Sequence, residues 1–186
     1  MNPSKTKFPH VAVTLLAASL CTSLIAQITP TPTMPPKEPA SDTATESSLS
    51  HHDRAFMKKA AAAGMKEIDV SRAVMDRLSN SHGKDLAQMM ITDHTAAGEE
   101  LATLAANKGV KLPAEDVSIS ADWAKKTGDI DSLYAKEMVA DHEGAVKLFE
   151  KATSSSDPDV AAFARKTLPT LQHHLEMAQE LAKSVN

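Results

Sequence analysis

The sequence predicts an all-α protein, a four-helix bundle built from two helical hairpins that are joined by a longer connection holding a short helix. Aromatic residues make up only 3% of the 186 residues, whereas Ala, Leu, Met, Lys and Glu are abundant, which favours helices over strands. Apolar residues recur every three or four positions over four long segments, the period of an amphipathic helix. Stretches rich in Gly, Ser, Asn or Pro separate these segments and are typical helix breaks.

Residues 1–26 are predicted to be a signal peptide. Lys5 and Lys7 precede an uncharged apolar run at residues 11–26, which suits the core of a signal and is short for a membrane span. Cleavage after residue 26 predicts an exported, periplasmic protein with no transmembrane segment. Lipid anchoring through Cys21 is less favoured, because the bulky Leu20 precedes that cysteine.

Residues 27–50 are predicted to be a disordered linker, and residues 51–186 to be the folded domain. The linker is rich in Pro, Ser and Thr, so it cannot bury a core. The remaining chain, about 135 residues, is long enough for one four-helix bundle. Cys21 is the single cysteine and lies in the predicted signal, so the domain is expected to be stabilised by packing without a disulfide.

Helices 1 and 2 are expected to form the first hairpin. Ser50 is the expected N-cap of helix 1, with Asp53 in its first turn. Residues 79–83 (SNSHG) are the expected break, and the pair Lys108-Gly109 is a typical end for helix 2. The predicted core positions are Phe56, Ala60, Ala63, Val70, Val74 and Leu78 on helix 1, and Leu86, Met90, Ala97, Leu101 and Leu104 on helix 2.

The connection that follows is expected to hold a short helix at about residues 116–126, anchored by Trp123. Helix 3 is expected to begin near Asp129 or Asp131, which suit a helix N-terminus, and to end at residues 153–156 (TSSS).

Helix 4 has the most specific start signal in the chain. Asp157 is the expected N-cap, Pro158 the first helical residue, and Asp159 an acid in the first turn. Pro169 lies inside this helix, where it removes a backbone hydrogen bond and is expected to produce a kink.

The pattern Met-x-x-Asp-His occurs twice, at residues 90–94 and 138–142. His94 and His142 fall on the apolar stripes of helices 2 and 3, and Glu67 falls on the apolar stripe of helix 1. Because a buried carboxylate or imidazole without a partner is costly, these side chains should meet one another, water or a metal ion. In an antiparallel hairpin, Glu67 and His94 lie at the same height.

His174 is the weaker candidate on helix 4. If helices 3 and 4 turn near Ser155, the residue at the height of His142 is Leu168, and His174 lies about 9 Å beyond it at 1.5 Å per residue. A kink at Pro169 would alter this estimate.

The inward polar residues predict a transition-metal binding or storage module that holds one ion of Fe, Mn, Zn or Cu. Glu67, His94 and His142 are the main candidate ligands, and Asp93 and Asp141 are secondary ones. Bundle cores hold metals through Glu and His side chains of facing helices, and these ligand types suit such ions. The sequence contains no Glu-x-x-His motif, which argues against a ferritin-type di-iron centre.

Methionine suggests a copper variant of this site. Met90 and Met138 each lie four residues before a histidine, and residues at that spacing share a helix face. Thioether and imidazole ligands together suit Cu(I). The alternative is that both methionines only fill the core.

The main alternative function is a structural or protein-interaction domain, whose buried Glu, His and Asp side chains only fix the register of the helices. The partner is then another protein. An enzyme is the least supported class, because the chain has no Gly-rich phosphate loop, no Cys–His pair and no Gly-x-Ser-x-Gly motif. A net charge of −4 without a basic patch argues against a nucleic-acid partner.

Residues 53–182 resemble a known bacterial family. The resemblance is carried by the segments MMITDHTAAGEELATLAANKGVKLP, LYAKEMVADHEGAVKLFEKA and LPTLQHHL. They are similar to the family named domain of unknown function 4142, some of whose members are labelled outer-membrane proteins. The resemblance implies a ferritin-like four-helix bundle in an exported protein with no established activity. It places the family's motif positions on Glu67, Asp93, His94, Asp141, His142 and His174.

Overall fold

The computed structural model describes residues 49–116 and 118–185; the predicted signal peptide, Cys21 and nearly all of the predicted linker lie outside these residues. The described part contains the helices α1 (His51–Val74), α2 (Ser81–Asn107), α3 (Ser118–Lys125), α4 (Ile130–Ala152) and α5 (Pro158–Ser184). A 3₁₀ turn, Met75–Arg77, follows α1. No helix among the described residues is both long enough and apolar enough to cross a membrane.

The four long helices form two hairpins, α1 with α2 and α4 with α5. Contacts of α1 with α4 and of α2 with α5 join the hairpins into a bundle, in which α1 and α5 are diagonal. The short helix α3 lies in the longer connection and packs against α1, with Trp123 buried. The predicted fold, an all-α ferritin-like four-helix bundle with a short helix in the connection, is confirmed.

The predicted N-caps are present at two of the long helices. The Ser50 side chain accepts a hydrogen bond from the Asp53 amide at 3.0 Å, and Asp157 accepts from the Asp159 and Val160 amides at 3.0 and 3.1 Å. Each cap satisfies backbone donors that have no partner within the helix. These local bonds explain why α1 and α5 begin where the sequence predicts.

The break between α1 and α2 lies earlier in the chain than predicted, at residues 75–80. Residues 79–83 were expected to be non-helical, but α2 already begins at Ser81. The reason is Asn80, whose side chain accepts a hydrogen bond from the His82 amide at 2.9 Å and caps the helix. At the other end of the bundle, α5 continues as one α-helix through Pro169.

The core consists of two apolar clusters, one at each end of the bundle. Every long helix contributes to both. The first cluster contains the edge-on Phe56 and Phe149, with ring centroids 5.0 Å apart. The second contains Trp123 and Tyr134. On each long helix, a short stretch between its residues of the first cluster and its residues of the second belongs to neither cluster. The candidate site lies at the level of these stretches.

Candidate metal centre

One polar side chain from each long helix occupies the level between the two apolar clusters. These four residues are Glu67 on α1, His94 on α2, His142 on α4 and His174 on α5, and together they are named here the polar layer. Glu67 is 1% exposed, His94 8%, and His142 and His174 are fully buried. The helical period that places their neighbours in the apolar core also turns these side chains inward.

The three imidazoles of the polar layer face one another closely. Their ring centroids are 5.7 Å apart for His94 and His142, 5.3 Å for His94 and His174, and 5.4 Å for His142 and His174. One ring nitrogen from each of the three lies within 4.8 Å of the other two. The three nitrogens therefore form one cluster at the level of the polar layer.

A backbone hydrogen bond determines the tautomer of His142. Its Nδ1 lies 2.9 Å from the carbonyl oxygen of Met138, one turn earlier on α4. Because a carbonyl oxygen only accepts, Nδ1 carries the proton and Nε2 has the lone pair. That Nε2 is buried and has no hydrogen-bond partner among the described residues. Imidazoles that bind metals show this pattern, with the other nitrogen donating to a fixed acceptor.

His174 has the same pattern with a carboxylate as acceptor. Its Nε2 lies 2.9 Å from Oδ2 of Asp93 on α2. The proton therefore lies on Nε2, and the buried Nδ1 keeps a lone pair that meets no partner in residues 49–116 and 118–185. A carboxylate bonded to a histidine fixes the orientation of the ring and raises its basicity as a ligand.

Glu67 completes the polar layer beside His94. Its Oε2 lies 3.0 Å from Nε2 of His94, and its Oε1 lies 3.6 Å from Nδ1 of His142. The first contact is short, but His94 Nε2 is among the buried atoms without a hydrogen-bond partner in the described part of the chain. Glu67 Oε1 also has no hydrogen-bond partner among the described residues. The contact with His142 is on its protonated nitrogen, so the approach that suits two ligands of one ion is the one between Oε2 of Glu67 and Nε2 of His94.

Comparison with known families identifies the chain. The profile of the family described as Domain of unknown function (DUF4142) matches residues 38–181. The chain belongs to the DUF4142 family. The resemblance inferred from the sequence is thereby confirmed, and the match also includes part of the segment predicted to be a linker.

A solved structure shares the fold of this DUF4142 protein. It is the crystal structure of a DUF305 fragment from Deinococcus radiodurans, which superposes with a TM-score of 0.63 at 11% sequence identity. The superposition covers 73% of this chain and 98% of that chain. At this identity the likeness concerns the fold alone. No curated protein matches the DUF4142 chain.

Burial keeps the polar layer of the DUF4142 domain electrically neutral at pH 7. Burial, together with the nearby Asp141, raises the pKa of Glu67 to about 8, although Lys66 opposes this. Burial and the other two imidazoles lower the pKa of His94 to about 3. Burial and His174 lower the pKa of His142 to about 4. Desolvation penalises the charged form in each case, so at pH 7 the Glu67 carboxyl is mostly protonated and the imidazoles of His94 and His142 are neutral.

The height estimate that made His174 the weaker candidate is wrong. Side chains on a helix lean toward its N-terminus. His142 therefore leans away from the α4–α5 turn, whereas His174, farther from that turn along α5, leans toward it. The two side chains therefore point toward each other along the bundle, and the ring centroids of His142 and His174 lie 5.4 Å apart. Heights taken from Cα positions alone omit this convergence.

The two Asp-His pairs of the sequence have different surroundings in the bundle. Asp93 bonds to His174, whereas Asp141 accepts a hydrogen bond from Lys66 at 2.8 Å. Lys66 also pairs with Glu137 at 2.6 Å. Burial raises the pKa of Asp141. Lys66 and Glu137 carry no local sequence signal, because their pairing depends on the packing of α1 against α4.

Both methionines of the predicted copper variant are fully buried in the second apolar cluster. The backbone carbonyl of Met138 also accepts the hydrogen bond from Nδ1 of His142.

Proposed function

We propose that the protein binds one divalent transition-metal ion in the polar layer. One ring nitrogen from each of His94, His142 and His174 binds the ion, and the carboxylate of Glu67, which contacts His94 but lies outside the group of converging nitrogens, moves in as the fourth ligand. The observation that carries the proposal is the pair of fixed tautomers: His142 and His174 each donate one N–H to a backbone or carboxylate oxygen and keep the other nitrogen as a buried lone pair. Imidazoles that bind metals are oriented in this way by an acceptor on the other ring nitrogen.

Three imidazole nitrogens and one carboxylate oxygen suit Zn²⁺, Fe²⁺, Mn²⁺ or Cu²⁺. Bonds of about 2.0–2.1 Å in a tetrahedral site place two ligand nitrogens roughly 3.3 Å apart. The imidazole nitrogens of the polar layer lie within 4.8 Å of one another, so each pair closes by at most about 1.5 Å on binding, which small rotations of the rings supply. Four ligands serve a single ion, which favours a binding module over a mineral store.

A purely structural network explains the polar layer less well. Buried polar atoms that only fix helix register are normally hydrogen-bonded, because each orphaned atom destabilises the fold. In the described part of the chain, four polar-layer atoms have no hydrogen-bond partner: Glu67 Oε1, His94 Nε2, His142 Nε2 and His174 Nδ1. An ion at their centre would satisfy all four residues at once.

The proposed location of this binding module is the periplasm. The support is the sequence pattern of residues 1–26, a basic start followed by an uncharged apolar run. In that compartment the protein would bind metal ions after export.

Cobalt spectroscopy tests the proposed ligand set. Protein produced from the complete coding sequence is stripped with a chelator and titrated with Co²⁺, whose visible absorption distinguishes tetrahedral from octahedral coordination. One equivalent of tetrahedral Co²⁺ is expected, and one equivalent of Zn²⁺ should displace it. His142→Ala and His174→Ala should each abolish the bands. His173→Ala, which changes the exposed neighbour on α5, should leave them unchanged. Octahedral Co²⁺, or equal spectra for all variants, would contradict the proposal.

A further inference from the structure

An apolar cavity of about 430 Å³ reaches the polar layer from the face where α1 and α2 meet the connection. Glu67 and His94 lie on its wall, and Phe149, Phe163 and Leu171 line it from the second hairpin. Its volume falls in the range of small-molecule pockets, about 300–1,000 Å³. The cavity reaches the surface, since exposed residues such as Ala102 also line it.

Small residues create this cavity between two packed helices. Ala63 and Gly64 on α1 face Ala97 and Gly98 on α2 across it. A Cβ built on Gly98 meets no atom within 4 Å, and one built on Gly64 meets Nδ1 of His94 at 3.6 Å. Larger residues at these positions would fill the space, so the open volume results from the local sequence of both helices.

The polar groups of the cavity indicate the charge of its ligand. At the inner end is Glu67, which is 1% exposed and whose Oε1 has no hydrogen-bond partner among the described residues. The wall also carries the carboxyl groups of Asp69, Glu99 and Glu115, with Arg72 as its cation. Acids outnumber bases along the wall, which disfavours an anionic ligand.

We propose that this cavity binds an uncharged, mainly aliphatic or aromatic small molecule, whose single polar group lies against Glu67 and His94. The apolar wall takes up the body of the molecule, and the orphaned carboxyl oxygen takes up the polar group. The site does not require a metal. When the polar layer holds an ion, the same position places the ligand's polar group beside it, a consequence that rests on the proposed function.

A matched pair of dyes tests this ligand class. N-phenyl-1-naphthylamine is uncharged, whereas 8-anilino-1-naphthalenesulfonate has nearly the same aromatic body and a sulfonate. Both are titrated into the full chain, metal-free and Zn²⁺-loaded, and followed by fluorescence. The uncharged dye should bind saturably at one site, and the sulfonate should bind at least about tenfold more weakly.

Cavity-filling variants locate the binding site. Ala63→Leu on α1 and Ala102→Leu on α2 should each weaken binding of the uncharged dye by about tenfold or more, because the added side chain occupies the cavity. Ala73→Leu is the matched control, since Ala73 is also part-buried on α1 but packs against the second cluster. It should leave dye binding unchanged. Thermal melts confirm that each variant is folded.

The outcomes separate this inference from the metal proposal. Dye binding that depends on Ala63 or Ala102, in a protein that binds no metal, would support the cavity and refute the metal site. Metal binding with no saturable dye signal would refute the cavity alone. Equal effects of Ala63→Leu, Ala102→Leu and Ala73→Leu would likewise overturn the inference.

Discussion

Asp93 Oδ2 on α2 lies 2.9 Å from Nε2 of His174 on the neighbouring helix α5. This bond joins the two hairpins at the height of the polar layer. It also means that the aspartate of the first Asp-His pair orients a histidine on another helix rather than its own neighbour His94. The second pair differs, because Asp141 bonds to Lys66.

The difference between the two aspartates gives the first prediction. Asp93→Asn keeps the shape of the side chain but removes the carboxylate that fixes His174. It should weaken Zn²⁺ binding by about 10–100-fold, the usual effect of losing such a partner. Competition with a coloured chelator measures the affinity.

Asp141→Asn is the comparison variant, because Asp141 accepts a hydrogen bond from Lys66 and acts on Glu67 only through its charge, which raises the pKa of that carboxyl. Its effect on Zn²⁺ affinity should be less than about threefold. Equal losses in the two variants would show that general negative charge, and not the orientation of His174, supports binding.

Proton release on metal binding is the second prediction. In the metal-free protein the pKa of Glu67 is about 8, so at pH 7 its carboxyl is mostly protonated and must lose that proton to bind a cation. His94 and His142, with pKa values of about 3 and 4, are already neutral. About one proton should therefore be released per Zn²⁺ at pH 7, and almost none above pH 9.

Calorimetry in buffers with different ionisation enthalpies counts these protons. The affinity should rise about tenfold per pH unit between pH 6 and 8 and then level off. In Glu67→Gln, proton release should disappear. Release of two or more protons at pH 7 in the wild-type chain would mean that the imidazoles are charged before binding.

The stability of the metal-free protein gives the third prediction. His142→Leu removes a buried imidazole whose Nε2 has no partner in the described residues and replaces it with an apolar side chain of similar size. The metal-free variant should be as stable as the wild type or more stable by about 1–2 kcal/mol, because an unpaired buried polar atom is removed. Denaturant unfolding of both proteins in the presence of chelator measures this difference.

A structural role for the network predicts the opposite sign. If His142 served only to hold the helices in register, its loss would destabilise the metal-free domain by about 1–3 kcal/mol. Zn²⁺ should raise the stability of the wild type but not that of His142→Leu, since only the wild type keeps the complete ligand set.

Two helical glycines give a fourth prediction, about the fold. A Cβ at Gly144 on α4 meets no atom within 4 Å, so Gly144→Ala should stabilise the domain by about 0.5–1 kcal/mol through helix propensity. A Cβ at Gly83 on α2 lies 3.2 Å from Oδ1 of Asp131. That oxygen accepts a hydrogen bond from the Asn80 amide at 3.0 Å, so it cannot shift freely. Gly83→Ala should gain less stability or lose some. Equal gains in thermal melts would contradict this packing.

Local signals in the sequence were sufficient for much of the fold. Ser50 and Asp157 specify helix starts through side-chain bonds to nearby amides, and such bonds involve only neighbouring residues. Helical periodicity also turned Glu67, His94 and His142 inward correctly, because these positions follow from the apolar residues beside them.

Relationships between helices were harder to predict. Asp93 and Asp141 occupy equivalent places in the repeated motif. Their partners differ because a different helix packs beside each of them and places a different side chain within reach. His174 was misjudged because its approach to His142 depends on the direction in which each side chain leans. The cavity beside Glu67 and His94 forms because small residues of α1 and α2 lie at the same height. The sequence of either helix alone does not predict this match.

Elemental analysis by mass spectrometry tests the metal site most directly. The chain is expressed untagged from its complete coding sequence, purified without chelators, and compared with His142→Ala and with the exposed control His173→Ala. The account predicts about one equivalent of Zn, Fe, Mn or Cu in the wild type and the control, and none in His142→Ala. Folded wild-type protein that contains no metal and takes up none when it is added would contradict the account.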